Sequence, residues 1–77
     1  MAVRVKFFAS LREQLGRDAQ EVDSARCRTV ADVWDQVSDY QPMPANLLAT
    51  VNLEYVPVSY LVADGDEVAF FPPVTGG

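Results

Sequence analysis

Apolar and polar positions alternate at the start of the chain. Val3, Val5 and Phe7 are separated by Arg4 and Lys6, the period-two pattern of a strand with one buried face. Phe8 falls out of phase with them and so belongs to the other face. Ser10 and Glu13 have the S-x-x-E spacing of a capping box. They predict a short helix with Leu11 and Leu15 one turn apart, which Gly16 ends in a left-handed conformation. A short polar strand is predicted over Ala19 to Ser24.

Thr29 opens the most clearly patterned helix. Val30, Val33, Trp34 and Val37 recur at helical spacing as one apolar stripe, with Asp35, Gln36 and Asp39 on the other side. Asp32, in the first turn, meets the exposed amides. Pro42 and Pro44 are expected to stop this helix. Strands are predicted over Leu47 to Asn52 and Tyr55 to Val58, then a turn from Ala63 to Asp66 built on Gly65. In the last strand, Glu67 to Phe71, Val68 and Phe70 point one way and Ala69 and Phe71 the other. One helix with one apolar stripe is covered by one sheet, so the pattern predicts a two-layer α+β domain.

At 77 residues the chain is one domain. A chain this short buries only about 60% of its unfolded surface, so elaborate chemistry has to be shared with a partner. The net charge of −5 argues against nucleic-acid and anionic-membrane binding and favours docking on a basic surface. There is no histidine, which removes the usual neutral-pH base and the commonest metal ligand, so no metal site is expected. The single cysteine, Cys27, has no internal disulfide partner and reads as a structural thiol in a cytoplasmic protein. No signal peptide is apparent, and the longest apolar run, Val68 to Val74, contains two prolines and is too short to span a bilayer. Asp64 and Asp66 resemble an acid/base pair on paper, but their place around Gly65 reads as turn chemistry.

The closing segment carries the most information. It runs Phe70-Phe71-Pro72-Pro73-Val74-Thr75-Gly76-Gly77. Prolines cannot donate to a sheet ladder and fix an extended exit. The five residues from Pro73 to Gly77 reach roughly 16 Å when extended. Glycine at the tip has no Cβ, so a narrow channel admits it and reacting groups can approach its carbonyl. A terminal carboxylate, with a pKa of about 3.5, is ionised and a poor electrophile. Transfer of AMP from ATP would activate it, and attack by a thiol or persulfide would give a thioester or a thiocarboxylate. That chemistry needs no catalytic side chain from this chain.

These residues resemble the small, sulfur-carrying subunit of molybdopterin synthase, a ubiquitin-like β-grasp family. The likeness runs through Phe7-Phe8-Ala9, Arg12-Glu13, Gly16, Thr29-Val30 and Val51-Asn52, and is densest from Asp64 to Gly77. The stretch 38–45 is compact, with Pro42 and Pro44 where relatives often carry a longer segment, and 54–62 carries little of the family's signature. The resemblance implies a β-grasp domain over residues 1–72, with a mixed sheet and one main helix, and a flexible, extended carrier tail over 73–77. It implies that an E1-like enzyme adenylates Gly77 with ATP, that a sulfurtransferase converts it to a thiocarboxylate, and that Gly76 is the slim neck. The sulfur would pass to a cyclic pyranopterin monophosphate inside the large subunit of molybdopterin synthase. That subunit would supply the catalytic side chains of a heterotetramer, with no cofactor held permanently by the small one. Phe71 and Phe8, with Pro72, Pro73, Val74 and Thr75, are the partner-binding residues the resemblance implies. Two other roles use the same terminal chemistry: a sulfur carrier for thiamine thiazole synthesis, and a ubiquitin-like modifier conjugated through its last glycine. An interaction module with an idle tail is the remaining class.

Overall fold

The computed structural model describes residues 2–44 and 47–72. Their elements follow in the order β1 (Ala2–Phe7), α1 (Ser10–Leu15), β2 (Ala19–Asp23), a 3-10 turn (Ser24–Arg26), α2 (Val30–Ser38), β3 (Leu48–Val51), β4 (Glu54–Val56) and β5 (Glu67–Phe71). The strands form one mixed sheet in the order β2-β1-β5-β3-β4. β5 runs parallel to β1 and antiparallel to β3, so the last strand in sequence is the central strand of the sheet. The two-layer α+β arrangement is the one the sequence predicts.

The core lies between α2 and one face of the sheet. Val3, Val5 and Phe7 from β1 and Val68 and Phe70 from β5 are buried against Val30, Val33, Trp34 and Val37. Trp34 meets Phe70 edge-on, with ring centroids 5.4 Å apart and planes at 77°, a favoured aromatic geometry. Its indole Nε1–H donates to the Gln41 carbonyl at 3.0 Å, so burying the ring strands no polar group.

The N-terminus of α2 is fully engaged. Thr29 Oγ1 accepts from the Asp32 amide at 3.2 Å, and Asp32 Oδ2 accepts in return from the Thr29 amide at 3.1 Å. This is the reciprocal capping box. Asp32 Oδ2 also accepts from the Arg28 amide at 3.0 Å. The backbone N–H groups of Arg28 and then Thr29 hold the Asp32 carboxyl below the ordinary aspartate pKa. The next two amides, of Val30 and Ala31, donate to the carbonyls of Tyr60 and Val58 at 3.0 and 2.9 Å. The segment expected to continue a strand to Val58 therefore closes the helix end instead.

Other boundaries differ for physical reasons. Ser10 does not cap α1: the cap position falls on Ala9, at φ 53° and ψ −130°, and no side-chain cap bond forms. The Leu11 amide donates to the Phe8 carbonyl at 3.2 Å, so the chain enters α1 through a type II′ turn with Ser10 already helical. Gly16 ends α1 as predicted, at φ 72°. Helix α2 stops ahead of Pro42, because Asp39 and Tyr40 adopt positive φ and the Gln41 amide donates to Ser38 Oγ at 3.2 Å. Ser24 leaves β2 for the 3-10 turn, whose Ala25 amide donates to Asp23 Oδ1 at 3.0 Å. Between β3 and β4, Asn52 and Leu53 have φ of 51° and 73°, the two positive values of a type I′ hairpin turn.

Candidate functional site

The strand that leads into Pro72, β5, has a neighbour on each side. Phe71 is in register with Leu48 on β3, and on the other side Phe70 is paired with Phe7 of β1. The chain therefore leaves from the middle of the sheet. Pro72 is half-buried; Pro73, Val74, Thr75, Gly76 and Gly77, all named from sequence as tail or carrier residues, lie outside the described residues.

Strand alternation sorts the aromatic residues here into two stacked pairs. Phe7 and Phe70 face the helix, with centroids 6.4 Å apart and planes at 11°. Phe8 and Phe71 face away from it, 4.7 Å apart with planes at 10°. Phe70 is fully buried, whereas Phe71 is half-buried and Phe8 is 40% exposed. The backbone holds Phe8 in place at both ends: its amide donates to the Phe70 carbonyl at 3.2 Å, and its carbonyl accepts from Leu11. An exposed ring fixed in this way loses little freedom when another surface covers it.

Tyr55 joins this face. It is 73% exposed, and its ring tilts at 46° to that of Phe71 with centroids 6.4 Å apart. Sequence reasoning placed it on a strand without assigning it to the face. The missing signal was the two-residue turn at Asn52-Leu53, which pairs Val51 with Glu54 and so sets Tyr55 opposite Thr50, on the outer face. Asn52 ties that turn to the start of β5: its amide donates to the Glu67 carbonyl at 2.8 Å, and its Oδ1 accepts from the Glu67 amide at 3.1 Å.

Charge borders the aromatic face. Lys6 pairs with Glu67 at 3.4 Å across β1 and β5. An open groove beside Phe8 is lined in part by Lys6, Arg12 and Asp18. The chain is acidic overall, yet cations stand next to its exposed aromatic pair.

The remaining reactive residues belong to the framework. Cys27 is buried; desolvation, and then the nearby charges of Asp32 and Asp23, push its thiol pKa up, so it is a poor source of thiolate. Asp66 accepts from the Ala63 amide at 2.8 Å and from Asn52 Nδ2 at 3.0 Å, and Asp64 accepts from Ser24 Oγ at 3.3 Å. Both aspartates tie the turn around Gly65 together. Among the described residues no group of three or more His, Cys, Asp or Glu side chains is placed to hold a metal ion. No helix among them is long and apolar enough to cross a membrane. What remains is a rigid sheet that presents stacked aromatic rings at the point where the last residues depart.

Known proteins are similar to this chain in sequence and in fold. The pattern of the ThiS family matches residues 5–77. The molybdopterin synthase sulfur carrier subunit of Escherichia coli is 43% identical, over 97% of this chain and 99% of its own. The protein of that name from Haemophilus influenzae is 39% identical, over 97% of this chain and 99% of its own. Among solved structures, SAMP1 from Haloferax volcanii superimposes with a TM-score of 0.83 at 28% identity, covering 100% of both chains.

Proposed function

The chain belongs to the ThiS family, and from that membership we propose that it is the sulfur-carrier subunit of a molybdopterin synthase. The observation that carries this reading is 43% identity, over nearly the full length of both chains, to a relative of that name. The fold and the aromatic face are consistent with it. In this reading Gly77 is the working residue. An E1-like enzyme joins its carboxylate to AMP from ATP, releasing pyrophosphate. A persulfide on a sulfurtransferase attacks the acyl carbon and AMP leaves; a second thiol then cleaves the S–S bond, and Gly77 is left as a thiocarboxylate. In the large subunit the sulfur passes to the pyranopterin and water restores the carboxylate. The large subunit supplies the acid and base groups, which agrees with the absence of histidine here.

Phe8 and Phe71 are the anchors of the docking surface, with Tyr55 beside them, and Gly76 with residues 73–75 threads the channel. The likeness to SAMP1 favours a second reading, conjugation of Gly77 to lysines of other proteins, which shares the adenylation step.

Intact mass of the protein taken from sulfur-replete cells that contain its own activating enzymes tests the reading. One oxygen replaced by sulfur at Gly77 is the expected result. Unmodified carboxylate despite active machinery, or conjugates that survive thiol reduction, would overturn it. Deleting Gly77 is expected to abolish pterin sulfuration and leave the thermal melt unchanged.

A further inference from the structure

Ala9 occupies a backbone state that suits glycine. At φ 53° and ψ −130° it is the first central residue of the type II′ turn that joins β1 to α1, closed by the Leu11 amide on the Phe8 carbonyl. Glycine is the usual residue at that place, because an L side chain there crowds the backbone. The methyl of Ala9 is exposed and makes no contact in the core that would offset the strain. Two backbone bonds hold the conformation, the Leu11 amide on the Phe8 carbonyl at 3.2 Å and the Arg12 amide on the Ala9 carbonyl at 3.1 Å, while the methyl itself stays outside the core and is free to meet another surface.

Its position indicates which surface. Ala9 follows Phe8 directly, and Phe8 is stacked on Phe71 at the end of β5. Residues 73–77 begin two positions beyond Phe71 and span roughly 16 Å at most. A protein that encloses so short a tail has to close on the surface around its point of departure. We propose that the Ala9 methyl is a contact of that docking surface, retained in a glycine-type conformation because an apolar patch on the tail-receiving subunit covers it together with Phe8 and Phe71. This rests on the carrier reading and adds to it a residue that neither its exposure nor its size would single out.

Ala9→Gly in the full chain, measured for thermal stability and for affinity to the large subunit, separates the possibilities. Glycine keeps the turn and relieves the strain, so Tm is expected to rise by a few degrees. Affinity is expected to fall roughly three- to tenfold, the loss typical of one buried methyl. The two readouts move in opposite directions, which a purely structural role for Ala9 does not produce. A higher Tm with affinity unchanged or improved overturns the proposal, and so does a lower Tm. Phe71→Ala in the same titration separates this proposal from the carrier reading. If Phe71→Ala weakens binding and Ala9→Gly does not, only the role of Ala9 fails. If the unaltered chain does not bind the large subunit, both readings fail.

Discussion

Phe70 and Phe71 are the same residue type, one peptide bond apart on β5; Phe70 stacks on Phe7 at the end of β1, and Phe71 on Phe8, the residue just after it. Phe70 lies in the helix-facing layer, closed off by Trp34. Phe71 lies on the other side, where among the described residues the only other ring beside the pair is the exposed Tyr55. The pleat alone makes this difference. A two-layer domain has one covered face and one open face, and a doubled aromatic on its central strand puts a ring on each. The inner pair holds the domain together; the outer pair, with similar stacking, is available to another protein.

Substitutions at these two positions can break the comparison. Phe70→Ala removes a fully buried ring between Phe7 and Trp34 and is expected to cost about 3–5 kcal/mol of folding stability in denaturant titrations. A loss under about 1 kcal/mol would mean the inner layer repacks easily and the two faces are not distinct. Phe71→Ala is expected to weaken binding to the large subunit by about 1–3 kcal/mol, with a smaller loss of stability than Phe70→Ala. Unchanged titration curves would remove the outer pair from the interface. The smallest effect sharpens the contrast by pH. Asp32 has a lowered folded-state pKa, so its contribution is present above the ordinary aspartate value and is lost as pH falls through the lowered one. Asp32→Asn should flatten that acid limb and cost about 0.3–1 kcal/mol at neutral pH. Partner affinity at neutral pH should not change, because Asp32 caps the helix on the inner side; a change in affinity would show that the cap and the open face are coupled.

The inner layer was legible in the sequence because it repeats. Val3, Val5 and Phe7, and the stripe from Val30 to Val37, keep one period long enough to state which side is buried. The outer pair was legible by the same parity, since Phe8 and Phe71 are each out of phase with a buried neighbour. What could not be read depended on contacts remote in sequence or on a single backbone angle. Tyr55 reaches the face only through the register that Asn52 and Leu53 impose. The S-x-x-E spacing at Ser10 gave the right helix but the wrong cap, because the type II′ turn starts the helix one residue earlier, with Ala9 at the cap and its carbonyl accepting from the Arg12 amide. The stretch 57–62 has no periodicity to betray that its carbonyls close the end of α2.

The parallel pairing of β1 with β5 also has a mechanical meaning. Four residue pairs, Arg4 with Glu67 through Phe7 with Phe70, stand in register along the two strands. Tension applied beyond Phe71 and resisted through β1 runs along both strands in opposite senses. It loads this ladder in shear, with its bonds sharing the force, whereas an unzipping pull would open them one after another. An enzyme that grips the last residues can therefore tug on them, and release or withdraw them, without peeling the domain apart strand by strand.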